Sequence, residues 1–335
     1  METKKIIISR TDSIGDVVLT MPICAWIKKT FPDYQLIFLG KSYTEPVVQC
    51  FDCIHEFINW DHIANLSSKA QVSIFEAIQA DAIIHVFPNK VIARLAKKAK
   101  IKTRIGTSHR SFHWLTCTDK MNFTRKNSSL HESQLNFELL RPFGLPNIPS
   151  IETINGLVKA YFSPKELSLS EILKFNQQQP YVILHPKSQG SAVEWPISNY
   201  MELAKILVEN GKIVCFTGTE KEGLLFRNLM PKDDHIIDLS GKLTLTQLFY
   251  LIRHAEALVA CSTGPLHISG ISGICTIGLF SPRRPIHPGR WQPLGEKVKI
   301  LVKDPDCLTC KTGKPCYCIS TITVDQVEKA LLTCV

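Results

Sequence analysis

Residues 4–22 read Lys4-Lys5-Ile6-Ile7-Ile8-Ser9-Arg10-Thr11-Asp12-Ser13-Ile14-Gly15-Asp16-Val17-Val18-Leu19-Thr20-Met21-Pro22. The β-branched run at its start suits a strand buried on both faces of a parallel sheet, and the polar stretch Ser9–Ser13 is a turn. Val17, Met21, Cys24, Ile27 and Phe31 then recur at spacings of 4, 3, 3 and 4, which predicts one helix with a single apolar face. Phe31-Pro32-Asp33 stops it. Gln35–Leu39 is the next strand, closed by Gly40; Ala82–Val86 is another, followed by a helix over Val91–Lys100. Strands alternating with helices mean βαβ units and a parallel sheet.

The same grammar restarts after a polar segment, Phe162–Gln179, which reads as a linker. Tyr181–Leu184 is a strand, Pro196–Asn210 a helix with Gly211 just beyond it, and Lys212–Phe216 a strand. Leu243–His254 is a helix, Leu258–Ala260 and Cys275–Phe280 are strands, and Thr323–Cys334 is an amphipathic helix. The expected organisation is an α/β chain of two doubly wound, Rossmann-like domains, residues 1–165 and 180–322, with a C-terminal helix over 323–335. Such a pair binds ligands in a cleft at the carboxyl ends of its strands.

Length and composition agree: 335 residues is about two domains at roughly 150 residues each. A 44% apolar content excludes extended disorder. Ala257–Pro282 carries no formal charge, but its glycines and Pro265 break it into strand, loop, short helix and strand rather than a membrane span. The short apolar run near the N-terminus is no signal-peptide core, so the twelve cysteines are expected as reduced thiols in a cytoplasmic chain. The net charge of +9 is localised. Lys90–Lys126 holds eleven basic residues and one acid, which leaves 28 basic against 29 acidic residues elsewhere. A solvated helix face beside a loop would account for part of this. The concentration also suits an anionic partner.

Three strand-to-helix turns carry candidate chemistry. The first, Ser9–Val17, has one glycine, so it is neither a dinucleotide fingerprint nor a P-loop. Ser13 and Asp16 fit a capping box; equally, Asp16 fits a general base at a strand's carboxyl end, ionised by its place at a helix start. The second, His185-Pro186-Lys187-Ser188-Gln189-Gly190-Ser191, offers amides, hydroxyls and a cation to an anion, as an ordinary polar loop would. The third, Cys261-Ser262-Thr263-Gly264-Pro265-Leu266-His267, is either a plain turn with proline at a helix start or a diphosphate cradle.

Together, Ser13–Pro22, His185-Pro186 with Glu194-Trp195-Pro196, Asp238-Leu239-Ser240-Gly241-Lys242, and Ser262–His267 resemble, in order and over almost the whole chain, the motifs of glycosyltransferase family 9. These are the ADP-heptose:lipopolysaccharide heptosyltransferases, of GT-B fold. The resemblance implies inverting, metal-independent transfer of a heptose from an ADP-sugar to a lipopolysaccharide core or related glycolipid. It implies Asp16 as catalytic base, with Arg10 and Gly15 on the acceptor side. Lys187, Ser188, Glu222, Ser262, Thr263, Gly264, Pro265 and His267 then fall on the donor side. No cofactor is required beyond the nucleotide sugar. Where family members carry Asp, this chain has Ser262, and Val193-Glu194 stands where many have a lysine before the Trp-Pro pair. A different heptose or a hexose therefore stays open.

The implied partners are the nucleotide sugar, an anionic glycolipid acceptor and the inner-membrane surface, bound peripherally from the cytoplasm. Nucleic acid is not expected: the basic segment interleaves only Phe112, Trp114 and Phe123, and no reader motif is present. A GT-B protein that binds sugar nucleotide without turnover is the other alternative, prompted by Ser262. Finally, Cys307, Cys310, Cys316 and Cys318 lie within twelve residues. They could form a four-thiolate zinc site, although the Cys-x-Cys end is cramped for a tetrahedron, or remain reduced thiols. No metal is assigned to catalysis.

Overall fold

Ile6, Ile7 and Ile8 lie fully buried at the centre of β1 (Lys5–Ser9), which hydrogen-bonds a strand on each side. The computed structural model describes residues 4–125, 128–164, 179–312, 314 and 316–334. It divides into two compact units, Met1–Lys165 and Glu166–Val335. The supposed linker is mostly residues 165–178, outside the described set.

The first unit's sheet contains β1, β2 (Gln35–Gly40), β3 (Glu56–Asn59), β4 (Ala82–His85), β5 (Thr103–Thr107) and β6 (Asp119–Met121), all parallel, in the order β3-β2-β1-β4-β5-β6. The second holds β7 (Tyr181–His185), β8 (Ile213–Phe216), β9 (Ile236–Asp238), β10 (Ala257–Cys261), β11 (Cys275–Leu279) and β12 (Val298–Leu301), ordered β12-β11-β10-β7-β8-β9. Read from its own first strand, the second repeats the first. Each sheet reverses direction of winding between its first and fourth strands, where open α/β sheets bind ligands. In each, helices cover the sheet: Ile92, Leu95 and Ala96 pack on Ile7, Ile37 and Ile83 in the first unit. Tyr200, Leu203, Val327 and Leu331 join Leu184, Phe216 and Val259 in the second. Val327 and Leu331 belong to the helix Val324–Leu332, so this last helix is part of the second unit's core. No helix among the described residues is long and apolar enough to cross a membrane.

Three expectations need correction. The predicted continuous helix is two, Ile14–Val18 and Met21–Thr30. Pro22 supplies no amide and its ring excludes the carbonyl four residues back, so the chain breaks at Leu19-Thr20, and the Thr20 hydroxyl caps the Asp16 carbonyl at 2.8 Å. Ser13 occupies the N-cap position but makes no capping hydrogen bond; its hydroxyl donates to the Asp16 carboxylate, so the capping box does not form. The twelve cysteines are not all free. Cys275, opening β11, and Cys334, after the last helix, form a disulfide, their Cα atoms 5.6 Å apart. The fold joins residues 59 apart in sequence, a proximity that spacing cannot show.

Candidate active site

Past Ser9 the chain leaves β1 and enters a buried charge network. Arg10, 3% exposed, divides its guanidinium among three carboxylates. Nε donates to Asp12 Oδ1 at 2.7 Å, Nη2 donates to Asp16 Oδ1, and Nη1 lies 3.5 Å from Glu132 Oε1. Burial opposes the cation, but the charges of Asp16, Asp12 and Glu132 outweigh it and raise the Arg10 pKa. Burial pushes the Asp12 carboxyl up to about 6 against the pull of Arg10, and the charge of Asp16 adds to the rise. Asp16 has its other oxygen held by the Ser13 hydroxyl and keeps 15% of its side chain exposed. A carboxylate fixed in orientation yet open to solvent can accept a proton from a hydroxyl brought to it.

The support extends behind Arg10. Glu132, 1% exposed, accepts from Arg125 Nε at 2.8 Å. Arg125 also donates to Asn136 Oδ1 at 3.0 Å, and Asn136 Nδ2 donates to the Leu19 carbonyl at 3.0 Å. That carbonyl, at the end of the first short helix, needs an outside donor. The helix break, the catalytic candidate and the buried ion pairs are thus one structure. Beside them, Ser9 on β1 aligns with His85 at the end of β4. The Ser9 hydroxyl and both His85 ring nitrogens are buried without hydrogen-bond partners among the described residues. Burial drives His85 down to about 3, helped by the charges of His113 and Arg104, so the ring is neutral at neutral pH.

In the second unit the loops after β7 and β10 flank the reversal point. Glu194 organises the first of them: its carboxylate accepts from Lys187 Nζ, from the Ser188 amide at 2.8 Å and from the Ser188 hydroxyl at 2.9 Å. Burial opposes ionisation, but the bonds from Lys187 and Ser188 prevail and hold Glu194 below its usual range. Lys187 is therefore partnered within its own loop, and Ser188 is buried there. Ser191 Oγ donates to Ser188 O at 2.8 Å and to Ser262 O at 3.4 Å, joining the two loops. Trp195 anchors them, its amide donating to Cys261 Sγ at 3.3 Å and its indole Nε1 to Ile322 O at 2.8 Å. Burial lowers His185 to about 4, opposed by Glu222 and Glu194; its Nδ1 is 2.9 Å from Thr217 Oγ1.

Thr263 is the N-cap residue of the helix Gly264–Ile271, with Pro265 in its first turn. Its hydroxyl does not cap the helix; it is buried with no hydrogen-bond partner among the described residues. Amides of a first turn lack acceptors inside their own helix, so this loop offers unsatisfied donors to an anion. Ser262 is half-buried and His267 buried within the helix. Glu222 is buried in a capping box, its Oε2 accepting from the Thr219 amide at 2.7 Å and hydroxyl at 2.9 Å. The Asp238–Lys242 motif serves the fold. Asp238 accepts from Arg227 Nε at 2.6 Å and the Ser240 amide at 2.9 Å, while Gly241 adopts φ +73° with the Glu220 carboxylate where a Cβ would stand.

Glu132, Asn136 and His85 were not legible as site residues. A buried acid, amide or histidine interrupts no periodicity, and partners more than a hundred residues apart leave no spacing signal. Of the basic segment, Arg104 turns inward, its Nε donating to Thr116 O at 2.6 Å, and Arg125 joins the network; Lys126 lies outside the described residues. Lys90, Arg94, Lys97, Lys98, Lys100, Lys102 and Arg110 are exposed, as are the apolar Phe87, Val91, Trp114 and Leu115. The four cysteines of residues 307–318 converge elsewhere, their sulfurs within 4.8 Å of one another.

The family model of glycosyltransferase family 9 (heptosyltransferase) matches residues 74–317. A putative glycosyltransferase of Haemophilus influenzae is 27% identical over 309 residues, 89% of this chain and 88% of that protein. A family 9 glycosyltransferase from Veillonella parvula superposes with a TM-score of 0.80 at 18% identity, covering 99% of this chain and 97% of that one. The E. coli ADP-heptose LPS heptosyltransferase II gives 0.76 at 17% identity, covering 98% and 99%. The two structures share the GT-B fold with this chain.

Proposed function

Because the chain belongs to glycosyltransferase family 9, we propose that it moves a heptose or similar sugar from an ADP-linked donor to a lipopolysaccharide core or related glycolipid, with inversion and without a catalytic metal. The observation that carries this reading is the Asp16 carboxylate, oriented by Arg10 and Ser13 at the reversal point of the first sheet and still partly open to solvent.

In the proposed reaction, an acceptor hydroxyl gives its proton to Asp16 as its oxygen attacks the anomeric carbon. The bond from that carbon to the diphosphate breaks with its electron pair, and ADP leaves. Attack opposite the leaving group inverts the centre, and one carboxylate suffices. The departing diphosphate needs donors rather than acids. The Thr263 hydroxyl and the first-turn amides of Gly264–Ile271 are suited to that work. With Lys187 held by Glu194, the cradle relies on neutral dipoles more than on a lysine. An ADP donor has support from the similar E. coli protein, an ADP-heptose LPS heptosyltransferase.

An anionic glycolipid acceptor, and peripheral association with the cytoplasmic face of the inner membrane, are supported by the exposed basic side chains interleaved with Phe87, Val91, Trp114 and Leu115. Lysine and arginine near an anionic leaflet contribute about 1 kcal/mol each, and exposed aromatics favour the headgroup level.

A thermal-shift panel of ADP, UDP, GDP and CMP sugars tests the donor assignment. Selective stabilisation by the ADP series is expected; equal or greater stabilisation by another base overturns the ADP reading while leaving the family in place.

A further inference from the structure

We propose that Cys307, Cys310, Cys316 and Cys318 bind one thiophilic divalent metal ion, of the zinc or iron(II) class, in a tetrahedral four-sulfur site that ties the turn carrying Cys307 and Cys310 to Cys316 and Cys318. The carrying observation is that all four sulfurs lie within 4.8 Å of one another, drawn from a stretch of only twelve residues. In a tetrahedron with metal–sulfur bonds of about 2.3 Å the sulfurs stand about 3.8 Å apart. Cys307 and Cys316 sulfurs are 3.4 Å apart, and those of Cys316 and Cys318 3.1 Å. Shifts of under about 1 Å convert this cluster into that coordination shell. A cluster of several metal atoms needs sulfurs set further apart, so the site takes a single ion.

The backbone explains how the crowding is arranged. Cys307 precedes the turn Leu308–Lys311, whose Lys311 amide returns to Cys307 O at 3.0 Å, so Cys307 and Cys310 share one side of a knuckle. Cys316 and Cys318 are both partly buried while Tyr317 between them is 82% exposed. The Cys-x-Cys spacing thus presents two sulfurs to one point.

A second observation concerns what else fixes the segment. Among its described residues from Lys303 to Cys318 only Cys310 is buried, and Leu308 is 77% exposed. Cys310 Sγ meets the buried Ser281 Oγ at 3.5 Å, just beyond β11. So short a stretch without an apolar core of its own needs a staple, and a structural metal is one of the few available. On binding, each ligating thiol loses its proton to solvent and donates a sulfur lone pair to the cation; no electron is transferred.

The test uses the full chain, purified under mild reductant from cells grown with added zinc and iron. Elemental analysis is expected to find one zinc or iron per chain. After chelation, cobalt(II) should produce the intense charge-transfer and visible bands of a tetrahedral thiolate site, and trypsin should cut after Lys311 in the metal-free protein alone. Cys316→Ser and Cys318→Ser should each lose the metal. Near-zero stoichiometry with four titratable thiols, a weak octahedral cobalt spectrum, or trypsin resistance indifferent to chelation overturns the proposal. The cobalt and protease measurements use the wild-type chain, so a misfolded variant does not blunt them, and none depends on glycosyl transfer.

Discussion

Replacing Arg10 by Met removes the one cation shared by Asp12, Asp16 and Glu132, and the structure gives the cost a size. The guanidinium is 3% exposed and Glu132 1%, so neither charge is replaced by solvent. Breaking such a pair from one side costs about 3–5 kcal/mol. For a unit of this length each kcal/mol moves Tm by about 2–4 °C, so Arg10→Met should melt about 6–20 °C lower. The pH dependence follows from Asp12. Its carboxyl already sits at about 6 against an ordinary 3.8, and without Arg10 it moves further up. A carboxyl raised in the folded state contributes stability that is complete below the unfolded value and is lost as pH rises through the folded one. Wild type therefore loses its share between about pH 4 and 6, while Arg10→Met goes on losing stability above that. Thermal melts of both chains from pH 5 to 8 should show a gap that widens with pH. Equal melting temperatures, or a gap that widens on acidification, would refute the shared-cation account.

Gly106→Ala places a Cβ 2.6 Å from the buried His113 ring and should cost about 1–3 kcal/mol, read by urea unfolding; an unchanged midpoint removes the packing argument. Trp195→Phe keeps the ring packing on Tyr200 but strips the Ile322 carbonyl of its indole donor, a loss of about 1–3 kcal/mol by the same assay. Thr263→Val deletes a hydroxyl that bonds nothing described in the fold, so stability should hold or rise. The affinity for an ADP-sugar, by calorimetry, should drop about 10- to 100-fold for a lost bond to a charged group; unchanged affinity takes Thr263 out of the cradle.

The central strands were plain in the sequence because each is a short, mostly apolar run that the fold buries. Five others, β3, β5, β6, β9 and β12, were not. β3, β6, β9 and β12 are three- or four-residue strands without a fully buried residue, and β5 carries Arg104 inside a basic segment that reads as surface. The turns after β1, β7 and β10 were legible as places for chemistry, since strand, polar turn and helix start recur at each. Their electrostatics were not. Lys187 looked like a cation for an anion until Glu194, seven residues on, was seen to hold it. Arg10, which the resemblance puts on the acceptor side, is also tied to Glu132, 122 residues on in the chain. Periodicity reports which face a residue occupies, and pairings across the fold leave it unchanged.

Asp16→Asn, assayed with an ADP-heptose donor and a lipopolysaccharide-core acceptor, decides whether Asp16 takes the acceptor's proton. The amide keeps the shape and cannot act as a base, so turnover should fall by about 100- to 10,000-fold while the donor still stabilises the protein on heating. Turnover equal to wild type in the folded variant contradicts the assignment.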